Sequence, residues 1–322
     1  MRKIIFLSLG AILISVTLTG CVQKQSAPDG QAFLREALAQ LQEKRLEKGT
    51  VDGTVNVVLD PSSKGSGQFD VKLTTTFNGA KPEERTSSME AELSGNLTLP
   101  QGSTGKGNLK LKARVFPEET YFYLENINLE SPQRAQEVSQ ILMLASLYKA
   151  KWLRLPNQTP LKLEDKLPLN TGTQLTVEQQ TAFKELMLKT DLLKITENLG
   201  EEKIGSYATY HYKVVLAKEN IPVFAEQAAL ITEQTFTEED KTRLQKQLTN
   251  LNPLGEVWIG IADKLFYKVI ADSEIVSSEE GDKIGQIKAN LNLDHNQPPE
   301  IQKPEKAEDF GLPFLPGMTG GE

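Results

Sequence analysis

The chain is short of the residues that carry covalent and metal chemistry. Cys21 is its one cysteine, and His211 and His295 are its two histidines, in 322 residues. A lone thiol cannot close an intrachain disulfide, form a redox couple or build a thiolate metal site. Two histidines far apart in sequence offer no recognisable pair for a metal ion or for acid–base work. Positive charge is in deficit, with 36 Lys and Arg against 43 Asp and Glu, a formal net charge of −7. Such a surface repels nucleic-acid phosphates, so no nucleic-acid partner is expected. After residue 20 no hydrophobic run is long enough to cross a bilayer. No Gly-x-Ser-x-Gly elbow occurs, and no serine stands beside an evident base. Gly102-Ser103-Thr104-Gly105-Lys106-Gly107 lacks the ending of a phosphate loop and opens a strand, so it reads as a hairpin turn. Glu279, Glu280 and Asp282 lack the ligand spacing of a calcium loop. The expectation is a protein that is not an enzyme, with no metal and no cofactor.

The N-terminus is more informative. Met1-Arg2-Lys3 is basic, and Ile4 to Val16 is an apolar run broken by small residues, with the proportions of a secretory signal. It closes on Leu18-Thr19-Gly20-Cys21, which resembles a bacterial lipobox. The resemblance implies cleavage after residue 20 and a diacylglyceryl thioether on Cys21, hence an exported chain anchored to the bacterial cell membrane or envelope. An ordinary cleaved signal or an uncleaved anchor are the competing readings. Loss of Arg2 and Lys3 leaves 34 basic against 43 acidic residues, or −9. A polybasic contact with headgroups is then disfavoured, and acyl chains worth about 0.8 kcal/mol per buried CH₂ become the main attachment. Residues 21–30 are polar, with Pro28 and Gly30, and read as a tether.

Periodicity organises the rest. A helix is expected from Gln31 to Lys48, with Asp29 as cap, Gly49 as stop, and Phe33, Leu34, Ala37, Leu38 and Leu41 on one face. Alternation then marks strands through Val51–Leu59, Phe69–Phe77, Met89–Leu99, Leu109–Val115 and Thr120–Leu129, separated by turn-rich segments. Short turns between consecutive strands imply an antiparallel meander with one dry and one wet face. Ser131-Pro132 opens a helix in which Val138, Ile141, Leu142, Met143, Leu144, Ala145, Leu147 and Tyr148 are apolar nearly all round. Burial on more than one side is expected for it. Lys151–Leu155 is a further strand, and Thr176 with Gln179 resembles a capping box for a helix carrying Val177, Phe183, Leu186 and Met187. A hairpin follows, Leu192–Leu199 and Tyr207–Leu216 around a turn at Gly200–Gly205. Helices at Ile221–Thr232 and Thr237–Leu251 precede strands at Glu256–Ile261, Lys264–Ile275 and Ile284–Leu293. The total is about eleven strands in one α+β domain over residues 31–310, with 311–322 as a disordered tail.

Four segments carry a family resemblance: Lys151-Trp152-Leu153-Arg154-Leu155-Pro156, Tyr207–Leu216, Glu256-Val257-Trp258-Ile259, and Leu293-Asp294-His295-Asn296-Gln297-Pro298-Pro299 with Lys303-Pro304. Their order resembles the LolA-like lipoproteins, especially the mycobacterial-type LppX/LprG group. Gly260 departs from the pattern, which usually has aspartate there. The resemblance implies a large curved antiparallel sheet, a half-barrel, whose concave side is covered by helices, with a lipid or acyl chain held in the gap. The wall candidates are Val138, Leu142, Met143 and Leu147, with Phe69, Phe77, Phe183, Met187 and Phe224; for each, an ordinary core role competes. The expected partners are the membrane, a hydrophobic ligand and an envelope protein. The alternative is a structural or protein-interaction lipoprotein whose core is filled by its own side chains.

Overall fold

The structure, a computed structural model, describes residues 30–43, 48–61, 65–79, 84–99, 102–156, 176–249, 251–276 and 283–310. Helix α1 (Gly30–Glu43) precedes the meander β1 (Lys48–Leu59), β2 (Ser66–Asn78), β3 (Thr86–Thr98), β4 (Thr104–Val115) and β5 (Glu119–Glu130). Helix α2 (Ala135–Tyr148) leads to β6 (Trp152–Pro156). Helix α3 (Val177–Lys189) leads to the hairpin β7 (Leu193–Ile204) and β8 (Tyr207–Leu216). Helices α4 (Ile221–Ile231) and α5 (Glu238–Thr249) then precede β9 (Leu251–Gly260), β10 (Phe266–Val276), β11 (Lys283–Asp294) and β12 (Glu308–Asp309). All twelve strands form one sheet in the order β12-β6-β5-β4-β3-β2-β1-β11-β10-β9-β8-β7. Every pairing is antiparallel except β12 with β6. The edges β12 and β7 do not pair with each other, so the sheet stays open. This open, mostly antiparallel sheet with helices is the α+β class the alternation predicts and is consistent with the half-barrel that the resemblance implies.

Register explains why one face is dry. Val51, Gly53, Val55 and Val57 lie opposite Leu293, Leu291, Ala289 and Ile287 of β11, and opposite Thr75, Leu73, Val71 and Phe69 of β2. Side chains alternate across a strand, so these apolar residues share the inner face while Asp52, Asn56 and Asp70 share the outer one. On the outer face Thr74 donates to Asp52 at 2.6 Å and Asn56 to Asp70 at 2.7 Å.

Helix α1 makes the core. Phe33, Leu34, Ala37 and Leu38 recur at helical spacing and are all buried, Leu34 and Ala37 completely. They pack on Tyr210, Tyr212, Val214, Val257, Ile259, Phe266, Leu291 and Leu293, the inner face of β8–β11. Phe33 meets Tyr210 edge-on at 5.4 Å. Gln31 fixes the helix to the sheet margin: its amide donates to the Leu193 carbonyl and to Asp191, and accepts from the Ile195 N–H. Those bonds also occupy backbone groups of the edge strand β7 that would otherwise invite pairing with another chain.

Several elements depart from expectation. Helix α1 is described to Glu43, and Gly49 is no helix stop: it lies in β1 opposite Phe77, because pairing with β2 begins at Lys48. Strand β7 continues to Ile204, and the turn shrinks to Gly205-Ser206, with Gly205 at φ 58°. Gly200, at φ 93°, instead accommodates a bulge, where its N–H donates to the Asn198 side chain. Ser131-Pro132 starts a 3₁₀ turn, Pro132–Arg134, ahead of α2, and Ser131 makes no capping bond. The box at Thr176 and Gln179 is formed in both directions. The largest departure is α2: no residue of it is buried, and Ile141, Met143 and Leu147 are 48, 63 and 51% exposed. The physical reason is local. The helix returns directly to β6, beside β5, and meets the sheet along β5, and no other described helix packs on its far side.

The twelfth strand belongs to a strap that the alternation does not reveal. Beyond β11 the chain crosses the outer face toward β6. Gln297 accepts from Lys48, the Gln302 carbonyl from Arg114 at 2.7 Å, and Lys303 lies over the Phe116 ring. Asp309 pairs with Arg154 at 2.7 Å, and Phe310 packs against Tyr148 at the end of α2, ring centroids 5.6 Å apart. The hydrogen bond and charge of Arg154 hold the Asp309 carboxyl below the usual range. Where the strap begins, His295 donates from Nε2 to the Phe266 carbonyl at 2.8 Å and meets Tyr267 edge-on, leaving Nδ1 without a hydrogen bond among the described residues. Burial pushes its pKa down, against the opposing pull of the Phe266 carbonyl, Asp263 and Asp294. The fold therefore favours the neutral ring. As pH falls below about 6.5 the unfolded chain takes up this proton first, so stability drops until the folded ring also titrates. Urea titrations from pH 8 to 5 are expected to show this loss in the parent and a shallower one in His295→Gln, with at most about 1.4 kcal/mol per pH unit between the slopes. Parallel slopes would remove His295 as the origin.

Candidate functional site

The helices cover only part of the inner face. Over β8–β11 the interior is filled by α1, with Met187 of α3 buried among its residues. Phe183 of α3 meets Phe224 of α4 edge-on at 5.6 Å, and both pack against that core. The environment is dry enough that burial, followed by the neighbouring Tyr210, pushes the Tyr212 hydroxyl up to about 12. Over β2–β5 none of the described helices fills the corresponding space. There an open groove of about 400 Å³ runs along the sheet, its wall almost wholly apolar. Phe69, Val71, Leu93, Leu97, Leu109 and Leu129 form the wall, and Val138 of α2 stands at one side.

Two glycines give the groove its depth. Phe69, Gly95, Gly107 and Leu129 are successive partners across β2, β3, β4 and β5. A Cβ on Gly95 would sit 2.6 Å from the Phe69 ring and 2.7 Å from the Gln68 carbonyl, and one on Gly107 would sit 2.7 Å from Leu129 Cδ2. Phe69 and Leu129 thus lie down over bare backbone instead of standing into the space above it. The neighbouring row, Val71–Leu93–Leu109, continues the apolar wall. Phe69 and Leu93 remain 36 and 37% exposed. Asp70, Asn96 and Asn108, with Lys106 paired to Glu130 at 2.8 Å, alternate with the wall residues along the same strands and belong to the opposite, wet face.

This arrangement offers burial and little else. Its volume lies within the roughly 300–1,000 Å³ of ligand clefts. At about 0.8 kcal/mol per CH₂, ten buried methylenes supply on the order of 8 kcal/mol before ordering costs. A hydrocarbon chain draws full value from such a wall, whereas a polar ligand would lose its water without replacement.

Of the sequence-derived wall candidates, Phe69 and Val138 reach the groove. Phe77, Phe183, Met187 and Phe224 lie in or against the packed core over the other half. Leu142 is half-buried on α2, while Met143 and Leu147 face solvent. Cys21 lies outside the described residues. Leu93, Leu97 and Leu109 were legible as inward strand positions, and a glycine at facing inward positions of β3 and β4 was the available signal for a hollow.

Polar side chains gather elsewhere. On the outer face His211 stacks on Trp258 at 3.9 Å, with Nδ1 3.1 Å from Glu202 and Nε2 3.0 Å from Glu256. Trp258 Nε1 donates to Glu202, and Lys268 lies over its ring. This cluster seals a tryptophan on the wet side of β8–β10, across the sheet from the core. Gly260 has a steric reason: a Cβ there would fall 2.0 Å from Asp263 Oδ1, and Asp263 already accepts from the Leu265 N–H and the Tyr267 hydroxyl.

No family model matches the chain, and no curated protein matches it significantly. Among solved structures it is similar to the Mycobacterium tuberculosis lipoprotein LppX, at 12% identity and a TM-score of 0.25, covering 83% of this chain and 95% of that one. A β-barrel-like protein with the domain DUF1849 from Brucella abortus matches at 7% identity and TM-score 0.26, over 78% and 98%. A DUF1329 family protein from Desulfovibrio piger matches at 9% and 0.20, over 83% and 92%. At these scores the fold class rests on strand order and register.

The two halves should respond differently to truncation. Leu34→Ala, in the filled half, is expected to cost about 3–5 kcal/mol, whereas Leu93→Ala, facing the groove, should cost about 1 kcal/mol or less. Equal losses in denaturant titrations would mean that the β2–β5 face is as tightly filled as the other.

Proposed function

We propose that this chain is an exported bacterial envelope lipoprotein, lipidated at Cys21, that holds an acyl chain of a lipid in the β2–β5 groove and carries or presents it without chemically changing it. One observation carries the reading: part of a continuous apolar sheet face, over β2–β5, is left uncovered by the described helices, as a groove of about 400 Å³ walled by aliphatic and aromatic carbon. A monomeric protein rarely leaves such a surface to water without a use for it. The lipobox-like Leu18-Thr19-Gly20-Cys21 and the resemblance of four segments to LolA-like lipoproteins support the same conclusion from independent parts of the sequence. Residues 31–310 act as one binding domain, and residues 21–30 act as its tether. None of the described helices is long and apolar enough to cross a membrane, so the N-terminal acyl group is the anchor in this reading.

Native mass spectrometry of protein extracted from membranes should reveal a bound lipid, and the delipidated chain should take up a fluorescent long-chain fatty acid. Leu93→Trp places a large ring in the groove and is expected to weaken uptake about tenfold or more, while Met187→Leu, in the packed core, leaves it within about twofold. Absence of any lipid together with no uptake would reject the proposal. Recovery of a protein partner instead would favour the interaction role.

A further inference from the structure

We infer that the exposed side of α2 is the surface on which the domain rests on a lipid bilayer, turning the groove toward the membrane; the purpose of this contact rests on the acyl-binding role proposed above. From Val138 to Tyr148 the helix carries no charged side chain; Met143 and Leu147 share its exposed side with the uncharged Ser139, Gln140 and Ser146, and Ile141 is exposed on a flank, the three apolar residues each about half exposed or more. Its fourteen residues span about 21 Å, too little to cross a bilayer and suited to lying in the interface.

The flanks match a headgroup layer. Arg134 precedes the helix, and Lys149 and Lys151 follow it. Arg134 and Lys151 pair with Glu137 and Glu308, whereas Lys149 donates to the neutral Asn126 side chain and forms no ion pair among the described residues. Cations at the ends of an apolar helix face can reach lipid phosphates while the face itself enters the acyl boundary. The acidic surplus of the chain as a whole lies off this helix, whose one acidic residue, Glu137, sits in its first turn.

Two further observations select lipid as the occupant. Val138 belongs both to α2 and to the groove lining, so the apolar wall runs on to the helix. A hydrocarbon tail passing between groove and bilayer at this margin stays on carbon. The length of chain ahead of α1 sets the other constraint: Cys21 to Gly30 is a nine-residue step, which extends to about 30 Å at most. Anchored through Cys21, the domain is confined to a layer in which its exposed apolar face meets lipid at high effective concentration. The helix is also presented rigidly, because Phe310 packs on Tyr148 at its end and the Ala150 N–H donates to the Leu124 carbonyl of β5 just beyond it.

The test couples the mature full chain through Cys21 to a maleimide lipid in phosphatidylcholine vesicles, so that attachment does not depend on native lipidation. Met143→Trp and Leu147→Trp report insertion through quenching by brominated acyl chains, measured against the parent, which carries Trp152 and Trp258. Lys246→Trp, on α5, serves as the remote control. Added emission at 143 and 147 is expected to fall about twofold or more, with the control unmoved. Emission at both positions insensitive to brominated lipid would overturn the inference, as would equal quenching at all three. Fatty-acid uptake measured without vesicles on Met143→Glu/Leu147→Glu separates the two ideas. The variant should load normally yet show no insertion when probed at Ile141→Trp. Quenching without any uptake by the parent would reject the groove and keep the docking surface; uptake without quenching would do the reverse.

Discussion

The structure depends on a mismatch between the width of its sheet and the reach of its helices. A long run of alternating strands, paired in register, makes one apolar face that spans β5 through β8. Helix α1 can satisfy only what lies beneath it, and with α3 and α4 alongside it satisfies the β8–β11 side. Over β2–β5 apolar residues stand in the right places, and between buried Ala91 and Ala113 at one end and Val138 at the side their face opens into the groove. In an ordinary domain both halves would be capped, because exposed carbon costs about 25 cal/mol per Å². Here the uncapped half is paved by Phe69 and Leu129 lying over Gly95 and Gly107, which deepens the hollow instead of closing it.

The outer face shows how the same sheet tolerates an unfilled interior. Strands β1–β5 are laced by polar and ionic contacts such as Asn56 with Asp70 and Lys112 with Glu90 and Glu125. Individually such exposed pairs contribute little. The strap gathers them into a continuous girdle from β1 to β6: Glu119 accepts from the Tyr121 hydroxyl and lies near Lys303 and Arg154, and the Tyr121 bond holds its carboxyl below the usual range. The girdle ends on α2 through Phe310 and Tyr148, so the helix beside the groove is braced from the wet side while Ile141, Met143 and Leu147 stay exposed.

Much of this was legible from residues alone, and the exceptions have physical causes. Strands from Val51 to Leu129 announce themselves because a half-buried strand must alternate, and turn chemistry separates them. The capping box at Thr176 is a local motif, so it needs no tertiary context. By contrast, Glu308-Asp309 pairs with β6 through a contact of Arg154 with Asp309 that has no periodic signature. The composition of α2 reports how apolar the helix is and says nothing of what stands beside it, which is why burial was the natural expectation and exposure the outcome. Phe77, Phe183, Met187 and Phe224 illustrate the same limit: hydrophobicity selects interior residues without distinguishing a filled interior from a hollow one. Inward-facing Gly95 and Gly107 mark the hollow in the structure, a signal that a search for apolar residues passes over.

The measurement that bears most directly on this account is a crystal structure of the chain soaked with a long-chain fatty acid. The expected result is continuous hydrocarbon density across the Phe69–Gly95–Gly107–Leu129 row, with its tail against Val71, Leu93 and Leu109. A β2–β5 face found closed by the protein's own side chains, or an acyl chain seated beneath α1 with the groove empty, would contradict it.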